Sequence, residues 1–483
     1  MQIATTLALV LLLMGGPSLA GQAAPDTLVY SVQDGDSLVK ICGLYRDRTN
    51  HYSLTDMLTD IRRANGLQSN FLRVGQQLRI PVRAAAGGAR VARTVAGGAE
   101  VRGIYLTGPA CASSSVFDRV DAFIGAGGNA VVFDAKDIDG AVSYRSAHPL
   151  ASPGPGRSAP LIPSLDDMLG RLRGRGLYVI ARLALFLDGE LGRLHPELAL
   201  HGPAGEVWTE RDCAWIDPAE PRVQDYLLSL AVELARAGVD EIQFDYVRFP
   251  TNGWREDWTG DLDGTAARRR GVIAGFLAAA RDSLDVHGVR ISADLFGIMA
   301  WDRVEDLALT GQHVPTIAAL VDVICPMIYP SHFRPGFEGR RRPGDDPAYF
   351  VGEGTRRFLD LVDGQAEIRP WLQAFPYLVS RYDGSYVATQ IAAAQAAGGR
   401  GWSLWSPSCS YGVALAVLPA VLDGTDPAAA AVLLAASGPA ATAAAPAPAP
   451  AAAPVPAVAG AAVGTEALMG ALLRKEPAPG DTP

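Results

Sequence analysis

The chain has little with which to bind a polyanion, hold a metal or cross a membrane. Its 483 residues carry 42 Lys and Arg against 51 Asp and Glu, a net charge of -9. That balance excludes a nucleic-acid backbone as partner and points to a neutral or mixed-charge ligand. The longest basic clusters are Arg268-Arg269-Arg270 and Arg340-Arg341-Arg342, which read as solvated surface. The five cysteines, Cys42, Cys111, Cys213, Cys325 and Cys409, form no C-x-x-C pair, so a structural zinc site has no support. Only His332 lies near a predicted strand end, so the His-rich ligand set of a metal-dependent deacetylase is missing and no metal is expected. No G-x-G-x-x-G follows an early strand, which removes the dinucleotide fingerprint, and no cofactor is expected. The N-terminal apolar run, Leu7 to Met14, is shorter than the ~20 residues of a spanning helix.

What is present suits a globular protein: 49% of residues are hydrophobic and 19% charged. Leu7 to Met14, broken by Gly15-Gly16-Pro17 and followed by Ser18-Leu19-Ala20, reads as a signal peptide over residues 1–20. No Lys or Arg precedes it, and the alternative is a single membrane anchor. After cleavage no stable transmembrane segment is expected, and the protein is expected in the periplasm, at the cell wall or outside the cell. Composition then divides the chain into a compact module (28–82), an Ala/Gly/Arg linker (83–99), a long patterned region (100–422) and an Ala/Pro-rich tail (423–483). The tail cannot bury a varied core and is expected to be disordered.

In the first module, Leu28 to Val32 reads as a strand that enters a Gly35-Asp36 turn, and Ser37 can cap the helix that follows. A second helix is predicted over Ser53 to Asn65, then Asn65-Gly66-Leu67, then the strand of Gly75-Gln76-Gln77-Leu78-Arg79-Ile80-Pro81. This βααβ unit resembles the LysM family in its Gly-Asp-Ser-Leu opening, its Asn-Gly-Leu and its Gly-Gln-x-Leu-x-Ile-Pro ending. The resemblance implies binding of N-acetylglucosamine-containing glycans such as peptidoglycan, with a groove near Gly35, Asp36, Ser37, Asn65, Gly66 and Leu67. For Asp36 and Ser37, helix capping is the competing role.

The patterned region alternates eight β-rich runs with helices. The runs are 102–107, 130–135, 177–185, 241–249, 290–296, 322–329, 369–375 and 401–405. Regular β-then-α alternation predicts an α/β fold, a (β/α)8 TIM-type barrel, with an open doubly wound sheet as runner-up. In a barrel the site lies at the carboxyl ends of the strands. Period-two reading sends Glu241, Gln243 and Asp245 inward and Ile242, Phe244 and Tyr246 outward. On the next strand Ser292 and Asp294 share a face, which sets Asp294 beside Asp245. Paired strand-end carboxylates are the equipment for glycoside hydrolysis: one protonates the leaving oxygen, the other attacks or activates water. Asp245 is the candidate nucleophile or base and Asp294 the acid or its partner.

Asp134, Lys136, Arg182, Arg248, Met327, Tyr329, Gln373 and Trp405 are candidate substrate-binding residues. For Asp134, Lys136 and Arg182 the competing role is an ion network that closes the barrel. Aromatic platforms beside carboxylates suit sugar rings. Cys111 and Cys409 follow the first and last strands, which adjoin in a closed barrel, so a bridge between them is expected. Cys325, inside a strand, is expected to be a buried thiol.

From about Val101 to Tyr411 the sequence resembles a family of glycoside-hydrolase-type barrels long regarded as a domain of unknown function. Asp134-Ala135-Lys136-Asp137, Ile180-Ala181-Arg182, the run from Asp240 to Pro250, Ser292-Ala293-Asp294-Leu295-Phe296-Gly297 and Pro326 to His332 carry the likeness. So do Gly311-Gln312 and Arg369 to Phe375. Two departures stand out. The family's Trp-Asn at the last strand is Trp405-Ser406 here, and the Glu of chitinase-type barrels, two residues after the fourth-strand Asp, is Val247. Two functions follow. One is a hydrolase of a cell-envelope polysaccharide, tethered by LysM to peptidoglycan. The other is a non-catalytic glycan-binding or envelope-organising protein that uses the same pocket.

Overall fold

The computed structural model describes residues 27–33, 35–45, 54–67, 69–81, 100–113, 115–202, 204–251 and 262–423. The expected signal peptide, linker and tail lie outside them, Asp423 apart. The chain forms two compact units, residues 1–88 and 89–483.

In the first unit, Thr27–Ser31 pairs antiparallel with Gln77–Pro81, in register Thr27 to Pro81 and Ser31 to Gln77. Helices Leu38–Tyr45 and Leu54–Asn65 lie between the strands in sequence. Val32, Leu38, Ile41, Cys42, Ile61, Leu78 and Ile80 form one small core. The turns fall at Gly35 and Gly66, both at positive φ (78° and 63°), a backbone region that favours glycine. Asn65 clips the end of its helix to the last strand. Its amide donates to the carbonyls of Ile61 and Arg79 and accepts from the Arg79 N–H, each at 2.7 Å.

The second unit is a closed barrel of eight parallel strands: Val101–Leu106, Ala130–Lys136, Tyr178–Ala184, Glu241–Asp245, Arg290–Phe296, Val323–Met327, Trp371–Gln373 and Gly401–Trp405. Strand one pairs with strand eight through Gly103 and Ser403, which closes the ring. The strands are buried on both faces, as a parallel sheet wrapped in helices requires. The seventh is broken. Glu367–Ile368 pairs with the sixth strand, then Pro370, which lacks an N–H, interrupts the ladder before Trp371.

Local signals start and stop the helices. Ser164 caps Leu165–Arg173 through the Asp167 N–H, with acidic residues in its first turn and arginines in its last. Helix Pro221–Ala237 has proline at its first position and ends on Gly238 at φ 92°.

Expectation and structure part at the fourth strand, which was expected to run to Phe249 and stops at Asp245. Tyr246 takes a left-handed backbone, φ 51°, and turns the chain out of the ladder. Phe244 does face outward, against Phe276 of helix Leu262–Leu284, at 5.5 Å between centroids. Tyr246 does not follow it, because the turn swings its ring to the mouth of the barrel.

The lower barrel is held by a buried ion pair. Arg369 makes two hydrogen bonds to Glu241, one of them 3.1 Å, and the Tyr178 hydroxyl adds a third at 3.1 Å. Both charged side chains are about 1% exposed or less. Arg369→Met strands the Glu241 charge and is expected to cost roughly 3 kcal/mol or more in urea unfolding. The double variant Glu241→Leu/Arg369→Met should recover much of that loss. A single-variant loss below about 0.5 kcal/mol would show that the pair does not hold the barrel.

Candidate active site

The carboxyl ends of the strands, with the loops that follow them, form a cleft of about 320 Å³. Arg182, on the third strand, organises its floor. Its Nε and Nη2 donate to Oδ2 of Asp245 at 2.9 and 2.7 Å, and its Nη1 donates to Asp134 at 2.5 Å. Asp137 accepts a longer bond from the same nitrogen, 3.5 Å. The Tyr105 hydroxyl donates to the other Asp134 oxygen. One guanidinium therefore joins carboxylates from the second and fourth strands across its own.

Asp245 and Asp294 meet as their strands prescribe. Gln243 pairs with Ser292 and Phe244 with Ala293, so the next register step sets the two aspartates on adjacent strands. Such strands lie about 4.8 Å apart. Their surroundings differ. Asp245 takes the Arg182 bonds on one oxygen and the Tyr246 N–H, at 2.6 Å, on the other. Asp294 is 1% exposed and accepts a side-chain bond from Trp371 Nε1 at 2.8 Å. Burial, reinforced by the neighbouring Asp245 charge, pushes the Asp294 carboxyl well above the usual carboxylate range, and Trp371 only partly offsets this. Asp294 is thus the protonated member of the pair. Burial likewise pushes Asp134 up to about 7, against the pull of Arg182.

Aromatic rings line the far side. Tyr329 stacks on Trp405 with centroids 5.1 Å apart and planes at 29°, and Phe375 meets Trp405 edge-on at 5.0 Å. Among the described residues no group of three or more His, Cys, Asp or Glu could hold a metal ion.

Of the residues expected from the sequence, Asp245, Asp294, Arg182, Arg248, Met327, Tyr329 and Trp405 line this cleft. Asp134 sits behind Arg182, fully buried. Two expectations need correction. Lys136 does not point at a ligand: a register shift between Asp134 and Lys136 turns it aside, and its ammonium donates to the Ala184 carbonyl (2.7 Å) and pairs with Asp188 (2.9 Å) at 0% exposure. Gln373 is fully buried, and its amide donates to the carbonyls of Phe375 and Tyr377 and accepts from Ser331 N–H. It braces loops rather than facing the cleft. Arg248 is buried at the cleft wall, 4.4 Å from the Phe296 ring centroid. The expected bridge between Cys111 and Cys409 is also absent, both being free thiols. Cys409 sits at φ 51° with its sulfur toward Thr107, whose N–H donates to it at 3.3 Å. Cys325 is a buried thiol, as expected.

In the first unit the expected groove residues serve the scaffold. Asp36 accepts from Tyr30 and the Gln33 N–H, Ser37 caps the helix through the Lys40 N–H at 3.1 Å, and Leu67 packs on the core. Sequence reasoning missed Tyr105, although Val101, Gly103 and Tyr105 share the inward period of the first strand. It also missed Asp306 and Arg303, which arrive on helix Val304–Thr310 without a local motif.

Comparison with known proteins now bears on this geometry. A family model described as "Putative glycosyl hydrolase domain" matches residues 103–411, well over half of the chain. The chain belongs to this glycosyl hydrolase domain family. A LysM model matches residues 30–81, which form a LysM domain. None of the curated proteins compared matches the chain. Among solved structures, a hypothetical protein from Ruminiclostridium thermocellum is 33% identical, over 40% of this chain and 96% of that one, with a TM-score of 0.33. The PgaB (BpsB) glycoside hydrolase domain from Bordetella bronchiseptica is 15% identical, over 67% of this chain and 98% of that one, with a TM-score of 0.51. That likeness shows the barrel fold alone.

The Asp134 environment makes a stability prediction. The folded chain keeps a proton there up to about pH 7, while the unfolded chain releases it near pH 3.9. Stability from this group is therefore full below pH 3.9 and is lost as pH rises toward 7. In Asp134→Asn the pH 4–7 slope of urea-unfolding stability should be shallower than in wild type. An unchanged slope would mean that Asp134 ionises as readily in the folded as in the unfolded chain.

Proposed function

We propose that the chain is a glycoside hydrolase acting on a cell-envelope polysaccharide, with its LysM domain holding it to peptidoglycan. The observation that carries this reading is the pair of strand-end aspartates with divergent surroundings. Asp294, kept protonated, donates to the leaving glycosidic oxygen. Asp245, the ion-paired member, is the nucleophile or the base that activates water. Arg182 fixes the Asp245 carboxylate, and Trp405 with Tyr329 offers a face on which a sugar ring packs.

The LysM domain supports an envelope setting, since tethering raises the local concentration of a wall polymer without any new contact at the catalytic cleft. No described helix is long and apolar enough to cross a membrane. An exported protein, in the periplasm, at the wall or outside the cell, fits this reading. Its partner is then a polysaccharide or peptidoglycan, with no nucleic acid and no cofactor.

One observation favours a second reading, a glycan-binding or envelope-organising protein without turnover. Both Asp245 oxygens already accept hydrogen bonds, so the carboxylate could serve only to hold Arg182 and a sugar hydroxyl.

Release of reducing ends from peptidoglycan and other envelope glycans separates the two. Asp245→Asn and Asp294→Asn should each lower turnover about 10²–10⁴-fold. The wild-type rate should fall with rising pH at a limb set by Asp294, above the ordinary carboxylate range, and Asp294→Asn should lack that limb. Full activity in Asp245→Asn would overturn the assignment. Glycan binding without turnover across the panel would favour the second reading.

A further inference from the structure

The cleft departs from the charge of the chain that carries it. The protein is acidic overall, at -9, yet five arginines and four aspartates line the cleft, and Asp294 among the latter keeps its proton. A concave site with low-dielectric walls focuses such a local excess. Arg182 is bound to Asp134 and Asp245, and Arg248 is buried among rings. The wall made by the loops after the fifth and sixth strands is different.

Arg303 and Arg334 line it with Asp306, and both act on its charge. The nearest carboxylate oxygens to Arg303 are 3.6 Å (Asp306) and 3.8 Å (Glu305) away, beyond good hydrogen-bond reach. Arg334 is exposed, and its guanidinium makes no hydrogen bond or ion pair with the described residues. Asp306 is 9% exposed, and its Oδ2 is buried without a hydrogen-bond donor. Phe333 and Phe337 flank Arg334 in sequence and line the same cleft. Each meets Trp301, at 5.3 and 5.0 Å, which makes the apolar floor rigid. The wall thus presents two guanidinium forks, an acceptor short of a donor and an aromatic surface, all facing one cleft.

We propose that this wall is a subsite for a sugar unit bearing an anionic substituent, a carboxylate or a phosphodiester, which the Arg303 and Arg334 forks bind while Asp306 accepts a ring hydroxyl. The inference rests on the glycan-cleft reading above and names its substrate class: an acidic polysaccharide. It departs from the neutral or mixed-charge ligand that the net charge alone predicts. A planar guanidinium pairs with a carboxylate or phosphate through two parallel bonds, which neutral sugars do not offer. A cationic, deacetylated glycan would meet the two guanidinium groups and is disfavoured.

The test uses the full chain and its tryptophan emission. All eight tryptophans lie beyond residue 200, so the LysM domain contributes none of the signal. The probes are a glucuronic acid tetramer, its methyl ester, a glycerol phosphate oligomer and an N-acetylglucosamine tetramer. At least one anionic probe should bind about tenfold or more tighter than both neutral ones, with affinity falling as salt rises. Which anion binds tighter identifies the substituent. Arg303→Gln and Arg334→Gln, both at solvent-accessible positions, should each reduce the preference several-fold, and the double variant should abolish it. Equal binding of acid and ester, or a double variant that keeps the preference, overturns this inference and leaves the glycan cleft intact. No emission change with any probe overturns both.

Discussion

A single buried guanidinium makes the rest of the cleft possible. Arg182 sits on the third strand with about a tenth of its side chain exposed, and bonds carboxylates on the strands to either side. Without it Asp245 would be a buried charge with no cation bonded to it, at a desolvation cost of several kcal/mol. Arg182 would likewise be a buried charge without the two aspartates. The three groups define one another's positions, and Tyr105 fixes the outer oxygen of Asp134. The network therefore closes the barrel mouth and orients a candidate catalytic carboxylate at once. Asp134 and Arg182, for which the sequence posed barrel closure and ligand binding as alternatives, both belong to this network.

The same arrangement explains why two chemically identical residues diverge. Asp245 receives two N–H bonds from a cation, whereas Asp294, one strand further, has a neutral indole as a donor and a carboxylate for a neighbour. Burial alone raises a carboxyl, and adding a like charge raises it further. Asp294 is pushed up first by its burial and then by the charge of Asp245 beside it. The two surroundings differ in the donors that each carboxyl receives, not in the aspartates themselves. The lower barrel repeats the device with Glu241 and Arg369, both buried.

Much of this was legible in the sequence, because period-two and period-3.6 patterns encode which side is buried. The fifth and eighth strands fall where the pattern places them. Asp245 and Asp294 were visible as inward residues at strand ends. What was not legible depends on backbone irregularity or distant partners. Nothing local announces that Tyr246 leaves the strand at positive φ, or that a bulge after Asp134 carries Lys136 toward Asp188. Gln373 has the polarity of a ligand-binding residue, but its donors and acceptors are taken by loop backbone that only the fold brings near. Arg303, Asp306 and Arg334 converge from two loops, and no spacing rule joins them.

The claim on which the account turns is that Asp294 stays protonated beside the paired Asp245. Isotope-edited infrared spectroscopy of the aspartate carboxyls, titrated upward from the ordinary carboxylate range and read as the difference between wild type and Asp294→Asn, tests this directly. The account predicts a protonated-carboxyl band in the wild type that disappears in Asp294→Asn. A wild-type spectrum without that band, or one that Asp294→Asn leaves unchanged, would contradict it.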